Sequence, residues 1–537
     1  MTVFILVPGV FTGAHVWEET AARLTAAGAE VHAVALTGPG RPRDAATAVV
    51  DLDTHVADVL AVIDSVDTAA GREIVLVGHD YGIHPVRGAA DRRAERIARI
   101  VHLDAGMPQD GVPALAAVPD QALRERLAER ATGGAAGAGA GTGAAGTAAG
   151  TGATGAGTDA DASGPAGGTG ELAPPARDEW PRWGSTAGVP DAALDRLTAL
   201  AAPQPLGTLL QPLRLTGAVD AVPSTGVLCT GNGGSIELVQ MQVDFGDPAL
   251  QALTGPGVTF FELPTGHWPM LSCPAELAGV LLRAAAGEGH RLKASGPAET
   301  PAHLRPFLLD VPELPRERAG NIDLYLPGAE GPRPAVVFVH GGPVPAGARP
   351  TPRDWPTLVG YARYAAGQGV VGVTLDHRLH GVEDYGRAAA DVAAAVERVR
   401  ADPRVDADRV ALWFFSGSGP ITADWLGAPP AWLRCLAATY PIMAPLPNWG
   451  MTCRFRPADA VAHAGALPVV LTRVGLEVPE IAATVEEFLA AAEDCGAAVD
   501  VVDVPHGHHG FETLDPTDEW REAVHRAMRQ VLAHVTN

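Results

Sequence analysis

The sequence is short of basic residues. It has 39 Lys and Arg against 62 Asp and Glu, a formal net charge of -23. Nucleic-acid binders need a basic footprint and anionic membranes attract polybasic segments, so both classes of partner are excluded. No apolar run approaches the ~20 residues of a membrane-spanning helix. The opening MTVFILV has no basic flank and runs straight into a loop motif, so it reads as a first strand rather than a signal peptide. Cysteine is scarce: Cys229, Cys273, Cys435, Cys453 and Cys495 are the five. Their number is odd, their spacing is wide, and no CxxC or Cys/His metal pattern occurs. Reduced thiols in a cytoplasm and no metal are the expectation. There is also no P-loop and no HExxH, so no cofactor is expected. A small-molecule substrate is left as the partner, and a homodimer is compatible with the composition.

Apolar residues make up 47% of a 537-residue chain, enough for more than one core. Residues 133–157 contain only Gly, Ala and Thr. Such a stretch has too few bulky side chains to repay ordering entropy, so disorder is expected over about 131–170. Around this tract the same order of signals occurs twice. Residues 3–7 (VFILV) and 335–339 (AVVFV) are apolar runs that end in Pro8-Gly9 and in His340-Gly341-Gly342. Residues 74–77 feed Gly78-His79-Asp80-Tyr81-Gly82, and residues 410–415 feed Ser416-Gly417-Ser418-Gly419. Each half closes with a His-containing loop before an amphipathic helix, His267 in one and His509 in the other. Short apolar strands alternating with helical stretches predict an α/β fold with a mostly parallel sheet flanked by helices, present in two copies. The expected boundaries are 1–290 (with a helical lid over about 107–225), a linker at 291–304, and 305–537.

A strand, a sharp turn carrying a nucleophile and a helix form a nucleophile elbow, usually written G-x-S-x-G. In the second half Phe414 and Ser418 replace the flanking glycines. The order Ser416, Glu477, His509 nevertheless supplies a hydroxyl, an acid and a base in the sequence such a fold uses. His340, Gly341, Gly342 and Gly417 are the candidate oxyanion loop. This half resembles the dienelactone-hydrolase-like branch of the α/β-hydrolase superfamily through VVFVHGG, Asp384-Tyr385, WFFSGSG and HGHHGF. That resemblance selects His509 over His506 and His508, and implies ester, lactone or thioester hydrolysis.

The first half matches G-x-[nucleophile]-x-G fully, with Asp80 at its centre. It resembles the esterase and hydroxynitrile-lyase-like branch through VPGVFTGAHVW, VGHDYG, RIVHLDAGMPQDG and GHWPMLSCP. The resemblance makes His267 the base. A carboxylate attacking an ester carbonyl forms only a labile anhydride. Attack on an sp3 carbon bearing a leaving group gives an alkyl ester that a His-activated water hydrolyses. Epoxide hydrolases and dehalogenases of this superfamily carry Asp at the same place, so epoxide opening or halide displacement is the expectation. The usual acid position reads Gly231-Asn232 here, which leaves Asp104 as the alternative partner of His267. Gly9, Val10, Phe11 and Tyr81 are candidate oxyanion or substrate residues. Trp180 and Trp183 are candidate leaving-group donors or walls of an apolar pocket.

Overall fold

The computed structural model describes residues 1–40, 49–67, 71–118, 123–124, 126–129, 170–244, 248–294, 300–328, 331–449, 453–513 and 517–537. Almost all of the Gly/Ala/Thr tract, for which disorder was expected, lies outside them. The chain divides into two units: Met1–Ile236 with Pro256–Leu292, and Glu237–Gly255 with Lys293–Asn537.

In the first unit the apolar runs form six parallel strands: β1 Thr2–Val7, β2 Glu30–Ala33, β3 Glu73–His79, β4 Ile97–Leu103, β5 Ser224–Cys229 and β6 Val258–Leu263. Their spatial order is β2-β1-β3-β4-β5-β6, with every pairing parallel. Parallel strands need crossovers and are covered on both faces, which is why residues 3–7 are all fully buried rather than alternating. Helices α1 Glu18–Ala26, α2 Leu52–Ser65, α3 Ile83–Arg92, α4 Asp191–Leu200 and α5 Pro274–Ala285 accompany the sheet. Helix α2 starts on a capping box in which the Asp51 side chain accepts from the Thr54 amide. Between β4 and β5 the described chain makes 3-10 turns at Ala114–Ala117 and Trp180–Arg182, then α4 and a short helix at Leu206–Leu210. This is the segment expected to be a helical lid.

The second unit carries an eight-stranded sheet: β7 Arg316–Ala319, β8 Ile322–Tyr325, β9 Arg333–Val339, β10 Val371–Leu375, β11 Val405–Phe415, β12 Leu433–Thr439, β13 Val469–Leu476 and β14 Val499–His508. Its order is β14-β13-β12-β11-β9-β10-β8-β7. Only β7 and β8 run antiparallel to their neighbours. One face is packed by α6 Pro356–Gly367 and α10 Asp518–Thr536. The other is packed by α7 Tyr385–Arg400, α8 Thr422–Gly427 and α9 Pro479–Cys495. Glu237–Gly255 lies between β5 and β6 in the chain but belongs to this second unit, where Leu238 joins the core. The sequence pattern carried no sign of this exchange.

Ile5 sits fully buried in β1, between β2 and β3. Ile5→Ala is expected to destabilise the first unit by about 2–5 kcal/mol, through lost transfer energy and the cavity left behind. Chemical denaturation followed on fluorescence of the first unit's tryptophans measures this.

Candidate active sites

At the end of β3 the chain turns sharply, and Asp80 takes φ 49°. The turn fits because position 82 is glycine: a Cβ there would lie 2.5 Å from the Pro8 carbonyl oxygen. The first loop therefore lies directly against the elbow, and the Val10 N–H donates to Asp80 Oδ2 at 3.2 Å. Phe11 also has positive φ, but its N–H donates to Gln204 Oε1 at 3.3 Å and its carbonyl accepts from Ala202. Phe11, a candidate oxyanion or substrate residue, is thus corrected as an oxyanion donor: its amide is already used, and what it offers is its ring. Gly9 gives close approach, since a Cβ there would lie 3.0 Å from the Asp80 side chain. The Tyr81 hydroxyl pairs with His55 Nδ1 at 2.9 Å in the buried interior, so only the Tyr81 main chain is placed at the turn.

Asp104 and His267 are brought together. His267 Nδ1 donates to Asp104 Oδ2 at 2.6 Å, with both side chains buried. Asp104 also has positive φ and accepts from the Cys229 amide at 3.2 Å and from Asn232 Nδ2 at 2.7 Å. Asn232 thus stands where an acid was sought and supports the acid that replaces it. Burial on its own would lower the His267 pKa, but the hydrogen bond and charge of Asp104, with the charge of Asp80, outweigh it and raise the value. No hydrogen bond joins Asp80 to His267 among the described residues, so the imidazole's outer nitrogen is left for a water or a substrate.

The segment before α4 closes over this pair. The His267 N–H donates to the Ser185 carbonyl at 2.7 Å, and the Gly266 N–H to the Ala187 carbonyl at 2.9 Å. Ser185 N–H donates to Asn232 Oδ1 at 2.7 Å. Trp183 meets Phe11 edge-on at 4.7 Å. Trp180 packs edge-on against Trp268 at 5.4 Å, and its indole N–H donates to Thr198 Oγ1 at 2.9 Å. Trp180 is therefore a buried wall and not a leaving-group donor. The Trp183 indole N–H makes no hydrogen bond among the described residues. His84 and His102 are buried with pKa values driven down to about 4, each ring bonded to a backbone carbonyl, so neither is placed as a proton donor.

The second unit repeats the elbow with a hydroxyl. Ser416 follows β11 with φ 51°. Its Oγ lies 2.6 Å from His509 Nε2, and His509 Nδ1 lies 2.8 Å from Glu477 Oε2. Both of these partners are almost fully buried. Three strand ends, β11, β13 and β14, deliver the three side chains to one place. Gly417 is required because a Cβ there would run into the Gly342 carbonyl. Gly341 packs against Ser416, so the loop after β9 flanks the hydroxyl. The His340 side chain turns inward instead, stacked at 3.6 Å on His377, and it bears on the loop's shape rather than on a substrate. The two departures from the glycine pattern are accommodated. Phe414 is wholly buried in the core, and the Ser418 hydroxyl accepts the Phe415 N–H at 3.0 Å and donates to the Phe415 carbonyl. Sequence reading missed Tyr385, whose hydroxyl donates to the Gly417 carbonyl at 2.6 Å. It also missed Tyr440, whose ring lies 4.8 Å from that of His509. No spacing rule points to either residue. Among the described residues no group of three or more His, Cys, Asp or Glu is arranged to hold a metal. No helix there is long and apolar enough to cross a membrane.

Residues 4–280 match the Alpha/beta hydrolase family, and the chain belongs to it. Among curated proteins it is 37% identical over 119 residues to a carbendazim hydrolyzing esterase of Nocardioides, spanning 22% of this chain and 48% of that one. It is 32% identical over 108 residues to a pheophorbidase of Raphanus sativus, spanning 20% and 40%. The chain thus spans about half the length or less of the curated relatives it matches. A methylesterase from Arabidopsis is similar at 17% identity over 53% of this chain and 99% of that one, with a TM-score of 0.35. The chain is thus a member of the α/β-hydrolase family that has esterases among its relatives.

Because the folded His267 pKa lies above its unfolded value, the Asp104–His267 pair stabilises the fold fully below about pH 6.5. That stabilisation is lost as pH rises through the folded value. Asp104→Asn is expected to move the His267 titration to lower pH, measured by NMR of the imidazole protons. The stability gap between variant and parent should be widest on the acid side.

Proposed function

We propose that the protein is a bifunctional hydrolase of small molecules, with acyl chemistry in the second unit and alkyl chemistry in the first. The observation that carries the acyl reading is the unbroken relay from Ser416 through His509 to Glu477. His509 removes the Ser416 proton as Oγ attacks an ester or lactone carbonyl, and Glu477 holds the imidazolium that forms. The oxyanion develops beside Gly341 and Gly417, where the first amides of the turn have no helical partner. The His509 proton then goes to the leaving alkoxide. A water activated by the same His cleaves the acyl-enzyme.

For the first unit the reading rests on a carboxylate at the elbow. Asp80 Oδ1 attacks an sp3 carbon, and the electron pair of the breaking bond goes either to a halide, which departs, or to the epoxide oxygen, which stays on the alkyl chain and takes a proton from water. On this reading the Trp183 indole N–H, which makes no hydrogen bond among the described residues, is the donor that receives the leaving group. His267 then takes a proton from water, and the hydroxide adds to Asp80 Cγ. The oxyanion of that addition forms on Oδ2, where the Val10 N–H already points. Collapse expels the alkoxide, which leaves as the alcohol with the proton held on His267, and the Asp80 carboxyl returns its own proton to solvent. Neither sequence uses a metal or an organic cofactor. The acidic chain and dispersed thiols suit a cytoplasmic setting.

Intact-mass analysis tests both halves. A fluorophosphonate is expected to add once, at Ser416, and Ser416→Ala should lose ester turnover by at least about 10³-fold. With a panel of epoxides and haloalkanes, His267→Ala should accumulate a covalent adduct that Asp80→Asn abolishes, because attack survives while hydrolysis fails. A fluorophosphonate adduct with no Asp80 adduct across the panel would leave a single-site serine esterase with a silent first unit.

A further inference from the structure

Near the Ser416 site lies a buried carboxyl that the relay does not use. Glu512 comes three residues after His509, in the short turn Phe511–Thr513 that ends the His509 loop. It is fully buried. The Tyr361 hydroxyl, from α6, donates to Glu512 Oε1 at 2.8 Å. The Tyr440 phenol, just past β12, lies against the same carboxyl. Tyr440 has a positive φ of 34°, and its ring stands 4.8 Å from that of His509. Such backbone is strained for a tyrosine, and the Tyr440 N–H bond to the Thr472 carbonyl at 2.9 Å holds it in place.

The titratable groups that face Glu512 are Tyr361 on α6, Tyr440 after β12 and His509 after β14. Glu477, after β13, acts on Tyr440 through its charge. From α10 the neighbour of the turn is Trp520, 5.9 Å from Phe511. Two phenols can donate to a carboxylate, but neither carries a charge to offset it. Burial therefore raises the Glu512 pKa to about 7, against the lowering action of Tyr361, Tyr440 and the charge of His509. An apolar side chain of similar size would pack there without that electrostatic cost. What the carboxyl adds is negative charge close to the imidazole that becomes positive during acyl transfer.

We propose that Glu512 is a positioning residue of the Ser416 site, holding the Tyr440 ring against His509 and, as a carboxylate, stabilising the imidazolium as it forms. The proposal rests on the reading of Ser416, His509 and Glu477 as an acyl-transfer relay. Glu477 bonds the imidazole directly, whereas Glu512 acts through Tyr440 and through space. As pH rises through neutrality Glu512 loses its proton, and the site gains a second negative charge.

The rate of fluorophosphonate labelling at Ser416, followed by intact mass in the full-length protein between about pH 5.5 and about pH 8.5, tests this. Glu512→Gln keeps the side chain's size and an oxygen for Tyr361, but never ionises. At the acid end parent and variant should label alike, because position 512 is then neutral in both. At the alkaline end the parent should label about tenfold faster. Tyr361→Phe removes a donor that lowers the Glu512 pKa, so it should move the step that Glu512 adds to the profile to higher pH. Circular dichroism identifies a variant that has lost its fold, and Tyr361→Phe supplies the test if Glu512→Gln is one. A parent-to-variant ratio that is flat across pH, whatever its size, reduces Glu512 to a structural tie and overturns the proposal. So does a Tyr361→Phe profile that superimposes on the parent's. A parent that is not labelled, or a Ser416→Ala variant labelled equally well, overturns the acyl reading itself and this proposal with it.

Discussion

Asp80 and Ser416 both hold left-handed backbone, with φ of 49° and 51°. A side chain other than glycine adopts that conformation at a cost of order 1–3 kcal/mol. The cost is met by the parallel sheets: β3 and β11 are each paired on both sides, so their C-terminal ends are fixed before the turn begins. That one constraint lifts the nucleophile clear of the sheet and starts a helical turn beneath it. It also requires close approach of the preceding loop, which brings Val10 to Asp80 and Gly341 to Ser416. The bases and acids come from other strand ends, but they are useful only because the elbow's position is set by the sheet.

The same scaffold supports two kinds of electrostatics. In the second unit the proposed nucleophile, Ser416, is neutral at rest, and its hydrogen bond to His509 lies along the path that proton transfer would take. In the first unit the proposed nucleophile, Asp80, is an acid, and among the described residues no hydrogen bond ties it to His267. His267 sits between two carboxylates, bonded to Asp104 and influenced through space by Asp80, and both favour its protonated form. A base for a carboxylate nucleophile acts on water rather than on the nucleophile, so the missing contact is chemically consistent.

Much of this was legible from residue order. The apolar runs at 3–7 and 335–339 became β1 and β9, and the Ser416, Glu477, His509 order converged as spaced. Asp104 was readable because an acid follows β4 while Asn232 occupies the usual place. Other features depended on packing across the chain. Nothing local says that the Trp180 indole is committed to Thr198, or that the Phe11 amide is committed to Gln204, 193 residues away. Phe414 departs from the glycine rule because that rule describes one elbow geometry. The turn here runs as a longer 3-10 stretch, Ser416–Ile421, and the ring packs into the core. The assignment of Glu237–Gly255 to the second unit is a tertiary exchange, and hydropathy patterns do not record such events.

The hydrogen bonds from Gly266 and His267 to Ala187 and Ser185 bind the loop of the base to the chain that covers it. Cover and base therefore share one mechanical element. An opening of the 184–187 edge that kept both bonds would carry the His267 backbone with it, so cover and base would move as one piece and the proposed alkyl-enzyme would meet an armed base only with the cover seated.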